Sequence, residues 1–553
     1  MHIPSPRHHL ILVATLALVV YSGTLDNDFI RDDYAAIRDN PIVQRANLSE
    51  ILTSDYWAGH HNDRSGLFRP LTTLSYALQH QLCGHAPFSY HLINILLHAL
   101  TALLLHRLVL DLTHQPNPAL ATALLFAVHP VLSETVCSAV GRAGLQAAGL
   151  SLTTLILHLR RRPFAATIAL FLSLLCKESA IVTPGLVLLI DVFQYRTFSR
   201  KSYRTPYLIY VGATMAYLAW RYSVLSTLGP TAIDRLDNPL VELDPDLRLL
   251  NATALLGHYL GLLVLPALLS ADYSYIALPL TKQFISPLLA LVVFGIGLLS
   301  IVLIYTWRRQ PWICFGLIWI LLALAPVANI ILPIGTIMAE RLLYLPTMGF
   351  CIGLAILLEK VPRSSLVLFA FIVLLALRTA LRVADWQDSY TLFSSTTQAY
   401  PQNARAWRIL GQSHFERGEQ AQGRAALNKA LAILPDYYEV FNDLGSHYLQ
   451  QNQYDRALGN LEASLRIDSD YPPTWLNLGL AFYHLQRRAE AGQAFTKALQ
   501  LDPHFDQACY NLGVLAIEAG EVDRAASFFS RTLELNPYHS QARHNLDKIQ
   551  RQK

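Results

Sequence analysis

The chain has 553 residues, 53% of them apolar and only 15% charged, against about 25% charged in an ordinary soluble domain, so a single soluble globule is excluded. Its 43 basic and 39 acidic residues leave a formal net charge of +4, too balanced for the basic stripe that nucleic acid demands. Six cysteines, Cys83, Cys137, Cys176, Cys314, Cys351 and Cys509, are scattered without metal-ligand or disulfide-framework spacing.

Arg7 precedes an apolar run over 9–21 with no small-residue cleavage site before DNDF, which predicts a retained first membrane helix at 8–24. Further apolar stretches follow near 90–109, 118–133, 144–159, 163–176, 180–195, 206–222, 284–306, 312–331, 343–360 and 364–382. Together they predict about eleven crossings of a roughly 30 Å hydrocarbon layer. The stretch 249–269 is also apolar, and positive charge arbitrates. Arg160 to Arg162, then Arg196, Arg200, Lys201 and Arg204, then Arg308 and Arg309, then Lys360 and Arg363 share one side only if 249–269 does not cross. With Arg7 cytoplasmic, the long loop 25–89 and everything after 382 are expected outside the cytoplasm.

After Trp386 the composition turns polar. Residues 386–403 read as a linker, and beyond it Leu-Gly pairs recur at Gly411, Gly445, Gly479 and Gly513, the 34-residue period of a tetratricopeptide repeat. Trp407, Phe441 and Trp475 keep the aromatic position, Ala457, Ala491 and Ala525 the small one, and Pro435, Pro503 and Pro537 the turn. Four helical hairpins over 404–539 and a polar closing helix over 540–553 are predicted, with a concave face suited to peptide. The fold class is therefore all-α: a polytopic membrane domain over 1–385 followed by a soluble superhelix.

The chemistry lies in the loops. DNDFIRDDYAAIRDNPIV places Asp32 and Asp33 side by side behind a membrane helix. Such a pair can supply a general base, with its second carboxylate binding a cation or polar partner, or it can be a hydrated acidic loop. A divalent metal at Asp32 and Asp33 is the one cofactor this pair could hold. More polar groups recur at the outer ends of spans: His129 and Glu134 in HPVLSE, Arg142 in GR, Lys177 and Glu178 in CKES, and Glu340, Arg341 and Tyr344 in AERLLYLP. Ionisable groups at membrane depth either pair or serve a pathway, so these are structural ion pairs or the lining of a phosphate-receiving cavity. Tyr56, Trp57 and Phe68 suit sugar stacking or interfacial anchoring. His91, Asn94 and His98 share one helical face, where packing is favoured over metal ligation.

The ordered strings FIRDDYAAIRDNPIV, FRPLTTLSYAL, YHLINILLHAL, FAVHPVLSETV, GRAGL, CKESAIVTPGLVLLID, MAERLLYLP and WQDSYTLF, followed by the repeats, resemble the transmembrane and TPR repeat-containing O-mannosyltransferases and their bacterial relatives. The resemblance covers nearly the whole chain. It implies a GT-C membrane fold and an inverting transfer of sugar, mannose in the family, from a polyprenyl-phosphate donor to Ser or Thr hydroxyls of an acceptor polypeptide outside the cytoplasm. Carried over, the acidic pair falls on Asp32 and Asp33 as candidate base. The polar network falls on His129, Glu134, Arg142, Lys177, Glu178, Glu340, Arg341 and Tyr344, with Gly144 where the family carries Asp. Arg142, Lys177 and Arg341 become candidates to hold the leaving phosphate, and the repeat face the acceptor. The compact loops, four repeats and lack of eukaryotic sorting signals point to a bacterial inner membrane. A non-catalytic envelope scaffold, or a GT-C enzyme with a lipid or glycan acceptor, are the alternatives to this reading.

Overall fold

The computed structural model describes residues 6–58, 66–195, 204–227, 229, 233–275 and 277–552. The basic residues Arg196, Arg200 and Lys201 lie outside them. The chain divides into two compact units, the second beginning at Gln402. Every regular element among the described residues is helical. Pro70, Pro87, Pro116, Pro163, Pro245, Pro287 and Pro311 each open a helix, because a first-turn residue has no intrahelical use for an N–H and the ring presets φ.

In the first unit six helices are long and apolar enough to cross a membrane by themselves: Pro87–Thr113, Ala139–Leu159, Pro245–Val264, Pro287–Arg309, Glu340–Leu358 and Ser364–Asp385. The expected span 118–133 is broken. Pro116–Ala127 and Pro130–Cys137 meet at a 53° bend, since Pro130 has no N–H to continue the helix. Pro163–Cys176 and Pro311–Leu324 have 14 residues each, about 21 Å of helix and less than the hydrocarbon thickness. At one end of the bundle, 3-10 turns take over: Pro130–Leu132, Ala139–Gly141, Glu178–Val182 and Glu340–Leu343. The polar motifs sit at these turns.

Two stretches are more ordered than the sequence suggests. The loop 25–89 carries helices Pro41–Arg45, Leu48–Thr53 and Pro70–Cys83, with Phe29, Ile37, Val43, Tyr56, Tyr76 and Tyr90 in one buried cluster. The linker expected at 386–403 is instead occupied by the helix Ser389–Ala399 of the first unit, whose N-cap Asp388 accepts from Thr391 N–H at 2.7 Å. Leu392 and Phe393 bury its inner face.

The second unit is a run of helical hairpins from Ala404–Glu416 with Gln420–Ile433 to Asp506–Glu518 with Val522–Leu535, closed by Ser540–Gln552. A Cβ at Gly411, Gly445, Gly479 or Gly513 would meet Leu427, Leu461, Phe495 or Phe529 of the second helix at 2.4–2.8 Å. The repeat's glycine is therefore a contact requirement.

A close helix crossing in the first unit follows the same rule. Gly349 and Gly353 of the helix Tyr344–Leu358 receive Gly316, where a Cβ would stand 2.4 Å from Gly349 O and 3.1 Å from Gly353 N. This is the small-xxx-small approach of membrane helices. Gly349→Ala, with its Cβ 2.6 Å from Gly316 O and 2.8 Å from Trp319, is expected to destabilise the unit by about 1–3 kcal/mol through overpacking, read as a lowered thermal midpoint in detergent.

Candidate functional site

The adjacent aspartates are not equivalent. Asp33 is fully buried. Its Oδ1 accepts from Val140 N–H at 2.8 Å and Ser138 Oγ–H at 3.2 Å, and its Oδ2 from Ile30 N–H at 3.1 Å. Burial raises its carboxyl to about 6, against the pull of the backbone donors at Val140 and Ile30. Asp33 thus ties the loop to the turn Ala139–Gly141. Asp32 is exposed, and its charge acts on the Arg341 guanidinium and on Tyr56.

Arg341 is held from two directions by one carboxylate. Its Nη1 donates to Glu134 Oε1 at 2.5 Å and its backbone N–H to Oε2 at 2.7 Å. Glu134 is buried, whereas the Arg341 side chain stays 40% exposed and so presents donors outward. Glu178 is engaged in a fork by Arg69, Nε to Oε2 at 3.0 Å and Nη2 to Oε1 at 2.6 Å. Burial alone would raise the Glu178 carboxyl, but the Arg69 guanidinium holds it at about 2.

Lys177 differs from both arginines: among the described residues its ammonium makes no ion pair or hydrogen bond, and the Glu178 and Glu134 carboxylates, each engaged by an arginine, act on it only at longer range. A Cβ on Gly144 would lie 3.7 Å from its Nζ, so the position from which a carboxylate could neutralise it carries no side chain. Burial, reinforced by the charge of Arg69, lowers its ammonium to about 8. Lys177 and Arg341 line one small pocket together with Gly144, Ser151, Ser179 and Tyr344, and its other walls are apolar, among them Ala147, Ala323, Val327 and Leu345.

The remaining predicted residues build the frame. Arg142 is not among the residues that line this pocket. It is 1% exposed, lies 4.8 Å and 5.4 Å from the ring centres of Tyr76 and Tyr90, and donates to Asn94 Oδ1 and Tyr90 O at 3.3 Å each. His129 caps the turn at Pro130, its Nδ1 accepting from Val131 N–H at 3.3 Å, with Nε2 3.0 Å from Leu263 O. The Tyr344 hydroxyl meets His98 Nδ1 at 2.9 Å. Glu340 is fully buried and turns away from Arg341, accepting from Ser270 N–H at 2.5 Å and Tyr273 O–H at 2.8 Å. Asn94 and His98 serve packing, and Tyr56 and Phe68 are too buried to stack on a sugar. No three His, Cys, Asp or Glu side chains gather closely enough for a metal ion among the described residues. Sequence reasoning missed Arg69, although FRP was visible, because its partner Glu178 is 109 residues away.

Tetratricopeptide repeat models match residues 374–438 and 442–505, and a second such model matches 483–546. Protein O-mannosyl-transferase F38B6.6 of Caenorhabditis elegans is 28% identical over 449 residues, covering 78% of this chain and 63% of that protein. The mouse protein O-mannosyl-transferase TMTC3 is 28% identical over 455 residues, covering 72% and 48%. The human TMTC4 is 28% identical over 478 residues, covering 74% and 64%. All three relatives are named protein O-mannosyl-transferases. The chain spans between about half and two thirds of the length of these family members, and the alignments take in most of this chain.

Asp33 generates a pH-dependent expectation. A carboxyl whose folded pKa lies above its unfolded one contributes its stability fully below the unfolded value and loses it as pH rises through the folded value. Here that window runs from 3.8 to about 6. Asp33→Asn should flatten the fall in thermal midpoint across this window, and its amide, facing the Ile30 N–H donor to donor, should lower the midpoint at neutral pH.

Proposed function

We propose that the chain is an integral membrane glycosyltransferase that moves mannose from a polyprenyl-phosphate donor to Ser or Thr hydroxyls of an acceptor polypeptide. The observation that carries this reading is the Lys177 ammonium, with no ion-pair partner in contact among the described residues, beside Arg341 in a pocket whose remaining walls are mostly apolar. A phosphate supplies the missing negative charge, and apolar walls suit the start of a prenyl chain.

Asp32 is the base in this reading, because it is exposed and its neighbour is engaged with backbone. It takes the proton of the acceptor hydroxyl as that oxygen bonds to the anomeric carbon. The bond from this carbon to the phosphate oxygen breaks on the opposite face, configuration inverts, and polyprenyl phosphate leaves with the electron pair. Negative charge on the phosphate grows along this path, so Lys177 and Arg341 stabilise the transition state more than the bound donor. Glu134 and Arg69–Glu178 hold these cations in place. The repeats bind the acceptor chain.

The acidic loop and the repeats are assigned to the extracytoplasmic side. This rests on the positive clusters and on the helix Pro245–Val264 not crossing. The irregular chain after that helix returns alongside it, Thr281 N–H donating to Asn251 Oδ1 at 2.9 Å and Asn251 Nδ2 to Thr281 O at 3.0 Å. Irregular backbone exposed to hydrocarbon is not tolerated, which supports a helix at the membrane surface.

Asp32→Asn in folded, detergent-purified protein is expected to lower mannose incorporation into polypeptide by about 10²-fold or more while donor binding persists. Undiminished transfer would remove Asp32 from the mechanism. Failure of the wild type to release polyprenyl phosphate from any of a panel of lipid-linked sugars would favour the scaffold.

A further inference from the structure

Arg31, next to Asp32, stands at φ 47°, in the left-handed region where a non-glycine residue is strained. The local turn is closed by Asp33 N–H to Ile30 O and Tyr34 N–H to Arg31 O, each at 3.0 Å. From this turn the Arg31 side chain reaches away from Asp32. Its Nη1 donates to Asp272 Oδ2 at 3.3 Å, and its Cζ lies 5.3 Å from the ring centre of Phe393 on the helix Ser389–Ala399. Asp272 is itself fixed: its side chain is 6% exposed, its Oδ1 accepts from Ser274 N–H at 2.6 Å, and its carbonyl accepts from Ser270 Oγ–H at 2.5 Å.

The segment that carries Asp272 is anchored beside Arg341. Ser270 N–H and Tyr273 O–H both donate to Glu340 Oε1, and Glu340 is the chain neighbour of Arg341. The dipeptide Glu340–Arg341 therefore faces two ways. Arg341 is turned to the pocket, and Glu340 holds a strap that reaches, through Asp272, the residue beside Asp32.

We propose that Arg31 and Asp272 are positioning residues that fix the backbone at Asp32, so that the exposed carboxylate is held at a set place relative to Arg341. The inference rests on the reading of Asp32 as base. Strained backbone of this kind persists where its surroundings over-determine it, and a displacement of about 1 Å at a reacting group can cost about 10²-fold in rate. Without the ion pair nothing ties the backbone at position 31 to the strap, and the Asp32 carboxylate is no longer held at one place.

The test uses the full chain in detergent, with mannosyl phosphoryl polyprenol as donor and an unfolded Ser/Thr-rich polypeptide as acceptor. Arg31→Gly removes the guanidinium and eases the left-handed backbone, so strain does not penalise its folding; Asp272→Asn removes the charge of the partner. Both are expected to lower kcat tenfold or more with donor KM changed less than twofold, and Arg31→Lys, which keeps the charge, to retain more kcat than Arg31→Gly. Wild-type kcat in Arg31→Gly and Asp272→Asn, or a loss expressed equally in donor KM and thermal midpoint, would overturn the proposal. Asp32→Asn run alongside separates the two failures. If it transfers normally, the base assignment falls; if it is inactive while both clamp variants transfer normally, only the positioning role falls.

Discussion

Charge near hydrocarbon persists when another charge or a set of donors compensates it, and the site is organised by that constraint. Glu134 answers Arg341 and Glu178 answers Arg69, each with both carboxylate oxygens in use. Lys177 has no carboxylate in contact, and a position beside its Nζ is taken by Gly144, which carries no side chain. A half-buried ammonium with two guanidinium groups nearby and no carboxylate in contact is costly, and its lowered pKa, set first by desolvation and then by the charge of Arg69, expresses that cost. In the proposed function a single anionic group of the donor meets this charge.

The rigidity of this arrangement comes from where the helices stop. Several helices of the bundle are too short for a full crossing and pass into 3-10 turns, so the polar residues stand on tight turns braced by helix ends and not on mobile loops. Gly141 shows how close the bracing is: a Cβ there would stand 2.0 Å from Thr135 O. Cations fixed in this way need little reorganisation when charge develops on a leaving group.

The repeat unit was legible because its glycines report a contact recurring at a fixed spacing, and the motif turns were legible because charges at the ends of apolar runs are rare. The difference between Asp32 and Asp33 was not legible, since it depends on Val140 and Ser138, more than a hundred residues further along. The surroundings of Arg142 were hidden for the same reason: the enclosing rings of Tyr76 and Tyr90 come from the first loop and from another helix. The helix Ser389–Ala399 was hidden by its Ser/Thr-rich polar sequence, and the strap carrying Asp272 has neither periodicity nor a motif. Arg31 and Asp272, 241 residues apart, meet only through tertiary structure.

The central claim is that Lys177 is the cation completed by the donor's phosphate, and binding of polyprenyl phosphate to the folded protein tests it most directly. Affinity in the wild type should fall as pH rises through about 8, where the ammonium loses its proton. Lys177→Gln should bind about tenfold or more weakly with no such pH dependence above pH 7.5. Equal affinity and an equal pH profile in the two proteins would contradict the account.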